Sequence, residues 1–376
     1  MKYIWENPLW PNFSFDKKAA TISLENIKTQ YQVLNRVLTN IGFDSKQEIA
    51  LRVLTNDALG TSEVENEHLE PQSVRSSIGK RLGLAMDSTD TINAKAEGIV
   101  SLRWDATRNA QTPLTHDRFF SWNQKILVNP VWGVERGKYR SGYIAVLSGQ
   151  MSKEKVHFEA VPHETVFMEM EKLIVWSNSI IPADNLVIAS AIAHLWFVTI
   201  HPFGDGNGRM ARNIGDLFMA RLNKDYGHFV SLSDTIQKNR SDYYKMLEST
   251  QKGGMDITPW IDWYDKMITK SIENTFQVID QVMEKKELWA KLAKESLNAR
   301  QIKMVDLILE DWKGNLTSSK WAEICKCSQD TATRDIEALI KLGFLQASDS
   351  KGRSTHYTQT KGRQRHTRSE SDYGLY

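Results

Sequence analysis

One short stretch constrains this chain more than any other: two helical, apolar segments are separated by His201-Pro202-Phe203-Gly204-Asp205-Gly206-Asn207-Gly208-Arg209-Met210-Ala211-Arg212. Before it, Ile188, Ala191, Ile192, Leu195, Trp196 and Thr199 recur at helical spacing; after it, Met210, Ile214, Leu217, Phe218 and Leu222 restart the period. The run Leu186–Ile200 is shorter than the ~20 apolar residues a bilayer demands. Ser190, His194 and Thr199 also interrupt it, so it predicts a buried core helix. Two packed helices must therefore meet at one polar, glycine-rich corner.

The residue types at that corner suit one kind of chemistry. Gly206 and Gly208 let backbone N–H groups approach an anion, and a helix starting near Asn207 adds the positive end of its dipole. Arg209 and Arg212, three apart, project from one side of the first turn, where their forked donors can hold phosphate oxygens. Asp205 offers a carboxylate of the kind Mg²⁺ takes alongside phosphates. His201 has an unperturbed pKa of ~6.5 and can accept a proton near neutral pH. Phe203 reads as a buried anchor for the loop, and His194 as a satisfied core histidine.

Elsewhere the pattern is mostly helical. Ile22, Leu24, Ile27, Tyr31, Leu34, Val37 and Leu38 share a stripe, and a second helix is expected over Gln47–Leu59 with Gly60 as its C-cap. The run from Gly137 to Leu147, followed by Val156-His157-Phe158, predicts a β-hairpin. A long amphipathic connector is expected from Ile272 to about Leu297. Beyond it come three short helices, the third capped by Ser328, and a two-stranded wing from Gly343 to Tyr357, the pattern of a winged helix-turn-helix.

Composition narrows the class. With 376 residues, 41% of them hydrophobic, the chain predicts a folded protein of two or three units rather than a disordered one. A net charge of +2 argues against polyanion binding as the role of the whole chain. The local exception is basic: Lys351, Arg353, Lys361, Arg363, Arg365 and Arg368, with no acid among them. Two cysteines, Cys325 and Cys327, are too few for a disulfide framework or a four-ligand zinc site. Together with an N-terminus that lacks an apolar signal segment, this predicts a cytoplasmic protein with no membrane partner.

The loop His201–Arg212 resembles the signature of the Fic (filamentation induced by cAMP) family, His-Pro-Phe-x-Asp/Glu-Gly-Asn-Gly-Arg-x-x-Arg, without departure. The resemblance extends upstream to Leu114–Asn123 and the hairpin, where the family has its flap. Downstream it takes in Ile236–Tyr244 and Thr258–Ile261. The resemblance implies a Fic core (96–275) with a hairpin flap, and with the patterns read above the expected fold is mainly α: an N-terminal helical domain (1–95), that core, a helical connector (276–299), a winged helix (300–360) and a basic tail (361–376).

It also implies transfer of AMP from ATP to a Tyr, Ser or Thr hydroxyl of a target protein. His201 would be the base, and Asp205 would hold Mg²⁺. Gly206, Asn207 and Gly208 would cradle phosphates, with Arg209 and Arg212 on the β and γ groups and Asn239 beside the nucleoside. The flap would bind an extended target by strand addition.

Thr61-Ser62-Glu63-Val64-Glu65-Asn66 resembles the family's inhibitory pattern, Ser/Thr-x-x-x-Glu-Gly/Asn. It implies that Glu65 takes one fork of Arg212 and displaces the γ-phosphate. The same glutamate could serve removal of AMP. A homodimer is expected by family analogy. The competing reading is a DNA-binding regulator with a nucleotide-sensing core; its presumed recognition helix sets Asp330, Asp335 and Glu337 against Arg334 and Lys341, a poor match to a phosphate backbone.

Overall fold

Helical periodicity becomes helix along most of the chain. The computed structural model describes residues 2–85, 91–130, 133–148, 155–180, 185–222, 229–309, 312, 314–348 and 355–360. Lys351, Arg353 and the basic tail lie outside the described residues. The chain divides into two compact units, Met1–Ile279 and Asp280–Tyr376.

The first unit opens with α1 (Lys17–Asn40), α2 (Phe43–Val64), α3 (Pro71–Leu82), α4 (Ala94–Arg108) and α5 (His116–Ile126). A hairpin follows, β1 (Ala145–Ser148) with β2 (Lys155–Glu159), then α6 (Val166–Ser179), α7 (Leu186–Ile200) and α8 (Asn207–Leu222). The helices α9 (Leu232–Lys238), α10 (Arg240–Gln251) and α11 (Thr258–Leu292) come next. Helix α7 is apolar all round, with Ala191, Ala193, Leu195 and Phe197 fully buried, which makes it the central helix of the unit. Helix α8 lays Met210, Ile214, Leu217 and Phe218 into the same core. Among the described residues no helix is long and apolar enough to cross a membrane.

Three local expectations are corrected. Helix α2 does not stop at Gly60 but continues to Val64. A Cβ at Gly60 would stand 2.8 Å from the Asp234 Cα, so this glycine permits close packing of α2 on α9 rather than ending a helix. The true C-cap is Glu65. Asn66 follows with φ +59°, and the Glu67 N–H reaches back to the Ser62 carbonyl at 2.9 Å, the closure of a Schellman motif.

The hairpin is shorter than its sequence pattern: pairing starts at Ala145↔Glu159, with an irregularity between Val146 and Leu147. Residues 137–144 are drawn away by Arg140, whose backbone N–H donates to Pro202 O at 2.9 Å. Helix α11 is one element from Thr258 to Leu292, because no Gly or Pro lies between the expected closing helix and the connector. Its Pro259 falls in the first turn, where a missing N–H breaks no intrahelical bond.

The second unit contains α12 (Ala299–Leu309), α13 (Ser318–Cys325), α14 (Gln329–Lys341) and an antiparallel ribbon of β3 (Leu345–Ala347) and β4 (Tyr357–Gln359). Thr317 and Ser328 cap α13 and α14 through their side chains. Met304, Val305, Trp321, Ile336 and Leu339 form its core. Asp335 is 4% exposed and pairs with Arg300 Nε at 2.7 Å, so that acid is spent inside the unit instead of facing solvent.

Candidate active site

The C-terminal end of α7 sets the geometry. His201 is its C-cap, in the left-handed conformation (φ +52°, ψ +58°), with its N–H on Phe197 O at 3.0 Å. A helix end leaves carbonyls without partners, and here Arg140 supplies donors: its guanidinium reaches His201 O at 2.8 Å, Ile200 O at 3.4 Å, Val161 O at 2.5 Å and Gly142 O at 2.8 Å. A cation there also suits the negative end of the helix dipole. The cost is desolvation, and burial pushes Arg140 down to about 10.

The imidazole of His201 is oriented by its own helix. Its Nδ1 lies 3.1 Å from Val198 O, so Nδ1–H donates and Nε2 keeps its lone pair. Burial lowers the His201 pKa below the usual imidazole value. The Val198 bond works against burial, Arg140 acts with it, and the Glu65 and Asp205 carboxylates oppose both. The ring is neutral at pH 7.

The loop is held open by specific contacts. Asn207, 2% exposed, accepts from Phe203 N at 3.0 Å and donates to Phe203 O at 2.8 Å, so its side chain is fully used within the loop. Only its backbone amide is available to an anion. Phe203 is completely buried, as an anchor should be. Gly206 has φ +86°, and a Cβ would press on Ile126 Cδ1 at 2.6 Å. The first bond of α8 runs from Met210 N to Gly206 O, which leaves the amides of Asn207, Gly208 and Arg209 outside the helix ladder. Asn123 steadies the turn by donating to Asp205 O at 3.1 Å and accepting from Gly137 N at 2.8 Å.

Both arginines lie under this helix start. Arg212 is fully buried; its Nε donates to Thr61 Oγ1 at 3.0 Å and its Nη2 to Thr61 O at 2.8 Å. Nη2 also pairs with Glu65 Oε1 at 2.9 Å. Burial is the largest influence on Arg212 and opposes its charge, but the facing Glu65 carboxylate together with the Tyr243 and Tyr244 hydroxyls outweighs it, and the pKa rises above the ordinary guanidinium value. Glu65 rests against Gly208, where any Cβ would collide with its Oε1.

Arg209, 2% exposed, pairs with Glu67 Oε2 at 2.7 Å and Asp205 Oδ1 at 3.2 Å. The Arg209 Nε and Arg212 Nη1 groups have no hydrogen-bond partner among the described residues. Two buried guanidiniums thus keep spare donors beside a row of uncommitted amides, donor groups of the kind an anion can engage.

Asn239 has other partners than its expected role would give it, whereas His194 lies in the core as expected, although its Nδ1 has no hydrogen-bond partner among the described residues. The Asn239 amide donates to Thr235 O at 2.8 Å and accepts from Lys270 Nζ at 3.1 Å, which commits it to the α9–α10 junction. His194 is buried, with Nε2 3.0 Å from Tyr243 OH and the Trp260 and Tyr264 rings at its edges; desolvation first, then Arg212, pushes it down to about 3. It is a core residue.

Sequence reasoning missed Glu67, Thr61, Arg140 and Asn123. Glu67 had a faint signal, an acid two places beyond Glu65. Thr61 opens the inhibitory pattern, but its bonds to Arg212 are not part of that reading, and Arg140 and Asn123 act on backbone groups and leave no trace in a motif. Among the described residues no cluster of three His, Cys, Asp or Glu could hold a metal. Asp205 has a half-exposed carboxylate with only Oδ1 engaged, by Gly206 N and Arg209. It fits a cation that draws most of its ligands from phosphates and water.

Residues 113–219, from α5 into α8, match the Fic/DOC family, and residues 3–84 match a domain of unknown function, DUF4172. The protein adenylyltransferase fic-1 of Caenorhabditis elegans is 32% identical over 118 residues, 31% of this chain and 22% of that protein. Its Caenorhabditis briggsae counterpart is 32% identical over 142 residues, 37% of this chain and 24% of that protein. The match therefore spans less than a quarter of either relative.

Among solved structures, a Fic family protein from Desulfovibrio desulfuricans G20 superposes over 94% of this chain and 99% of its own, at 19% identity and TM-score 0.51. A Fic domain containing signaling protein from Bacteroides thetaiotaomicron VPI-5482 covers 68% of this chain and 97% of its own, at 18% identity and TM-score 0.50. Both share the fold.

Proposed function

We propose that this chain is a protein adenylyltransferase that moves AMP from ATP to a Tyr, Ser or Thr hydroxyl of a target protein, under restraint by Glu65. In this reading His201 Nε2 takes the proton of the hydroxyl as its oxygen attacks the α-phosphorus. The bond from that phosphorus to the bridging oxygen breaks, and pyrophosphate leaves. Arg209, Arg212 and the amides of Asn207 and Gly208, with that of Gly206 once it leaves Asp205 Oδ1, hold the phosphates, so that positioning and charge neutralisation carry most of the catalysis. Asp205 would hold Mg²⁺, which when bound neutralises phosphate charge. Asn239 would lie near the nucleoside once its present partners yield.

The observation that supports this reading best is the pair of buried arginines with spare donors at the amide-rich start of α8, one residue stretch away from a histidine with a bare Nε2. The similarity to adenylyltransferases of two nematodes supports the reaction type. The hairpin would take an extended target by strand addition, main chain to main chain. The second unit reads as a winged helix-turn-helix used for protein recognition or dimerisation, with DNA as the alternative. The same Glu65 could also serve removal of AMP.

The test is mass spectrometry of a lysate incubated with the Glu65→Gly form, ATP and Mg²⁺, searching for the AMP adduct on Tyr, Ser and Thr. No adduct on any protein, the enzyme included, would sink the reading. Operator binding that survives His201→Ala would then favour the regulator.

A further inference from the structure

Glu65 is not alone in holding an arginine of this loop. The turn that closes α2 delivers two carboxylates: Glu65 to Arg212 Nη2 at 2.9 Å, and Glu67 to Arg209 Nη1 at 2.7 Å. The spacing follows from the cap. Glu65 is the C-cap, just past the last helical residue Val64, and Asn66 is left-handed, so the chain reverses and Glu67, whose N–H bonds to Ser62 O, comes back over the helix end. Arg240 Nη1 clamps the corner by donating to Asn66 Oδ1 at 2.8 Å, and Tyr244 OH does so by donating to Val64 O at 3.0 Å.

We propose that Glu67 is a second competitor for the nucleotide's phosphates: with Glu65 it forms a two-pronged surrogate whose carboxylates sit where two phosphate groups of ATP would meet Arg209 and Arg212. The inference rests on the nucleotide reading of the site. Each prong takes an arginine that is almost wholly buried, and each arginine retains one donor with no partner, Arg209 Nε and Arg212 Nη1. A carboxylate satisfies part of a guanidinium fork, whereas a phosphate with three oxygens can engage more of it. The side chains differ in exposure by little, 30% for Glu65 and 33% for Glu67, so both can swing aside into solvent. Since Arg209 also touches Asp205, Glu67 pulls on the arginine next to the carboxylate assigned to the cation.

A consequence separates this from a single latch. Removal of Glu65 alone frees one arginine and leaves the other occupied; full release needs both prongs withdrawn.

Affinity for ATP with Mg²⁺ is measured by calorimetry for wild type, Glu65→Gly, Glu67→Gln and the double variant, with thermal melting of each. Glu67→Gln is expected to tighten ATP about five-fold, in the range of a partly exposed ion pair. The same factor or more should appear on the Glu65→Gly background, with a parallel rise in self-labelling by AMP. Unchanged ATP affinity in Glu67→Gln on both backgrounds, with or without a lower melting temperature, overturns the proposal and leaves Glu67 as a structural pair; the adenylyltransferase reading then stands if Glu65→Gly binds ATP. If no variant binds ATP, both readings fall. Glu67→Asp, which keeps the charge but shortens the reach, should tighten ATP by an intermediate factor.

Discussion

Glu65 Oε1 and Arg212 Nη2 stand 2.9 Å apart, with the guanidinium completely buried and the carboxylate 30% exposed. The asymmetry matters. Arg212 cannot shed its charge and is fixed by two further bonds to Thr61, so the mobile partner of the pair is the glutamate. A site whose arginine is permanent and whose carboxylate is exchangeable is a site that an incoming phosphate can compete for.

Glu65→Gly is therefore expected to raise self-labelling with AMP by about ten-fold or more, a loss of roughly 1.4 kcal/mol or more of competing interaction. Incorporation of labelled AMP at saturating ATP and Mg²⁺ checks it. Equal rates for wild type and variant would count against the restraint.

His201→Ala should lower AMP transfer by about 10²–10⁴-fold, the usual scale for losing a general base, with the fold retained. The pH profile carries a sign. Burial lowers the His201 pKa, so the basic form persists to more acidic pH than an ordinary imidazole allows. The acid limb of kcat/KM should fall below pH ~6.5; an inflection clearly above that value would contradict the environment described.

Asn66 occupies the left-handed position that closes α2. Asn66→Gly should leave stability nearly unchanged, since glycine accepts that conformation freely. Asn66→Val should cost about 1–2 kcal/mol, because a β-branched side chain crowds the backbone at a positive φ that asparagine tolerates. Because the same residue sets the reach of Glu65 and Glu67, the valine form should also label itself faster. Denaturant melts paired with labelling rates test both parts. A valine form as stable and as slow as wild type would show that the cap does not govern the carboxylates.

His194 is pushed from 6.5 down to about 3 by burial and by Arg212. The native state keeps it neutral while the unfolded chain protonates it, so the favourable contribution is complete above pH ~6.5 and declines as acid approaches the folded value. Its share is up to about 1.4 kcal/mol per pH unit in that window. Urea melts from pH 7 to pH 4 should slope less steeply for His194→Gln than for wild type. Parallel slopes would mean that other groups dominate acid unfolding.

Much of the site was legible because its chemistry is packed into consecutive residues. His201, Asp205, Gly206, Gly208, Arg209 and Arg212 announce an anion site through residue type and helical offset alone, and the buried anchor Phe203 follows from the same run. The sequence places Asn207 at the start of the second helix, but the use of its side chain on Phe203 is a matter of two backbone atoms that no motif encodes. Gly60 shows the opposite failure: a glycine after a helical stripe signals a cap, yet here it marks the place where another backbone comes close.

The sequence by itself determined the helical periods, the apolar identity of α7, the chemistry of the loop and the presence of a glutamate followed by a residue that tolerates a left-handed turn. Those properties are local: each depends on side chains within a few residues of one another. The pairing of Glu65 with Arg212 was already implied by the inhibitory pattern, but tertiary structure alone brought Glu67 to Arg209 and recruited Arg140 to the end of α7. These contacts join residues far apart in the chain. Their distances depend on how closely α2 settles onto α9 and α8, which is set by packed volume and not by any short pattern.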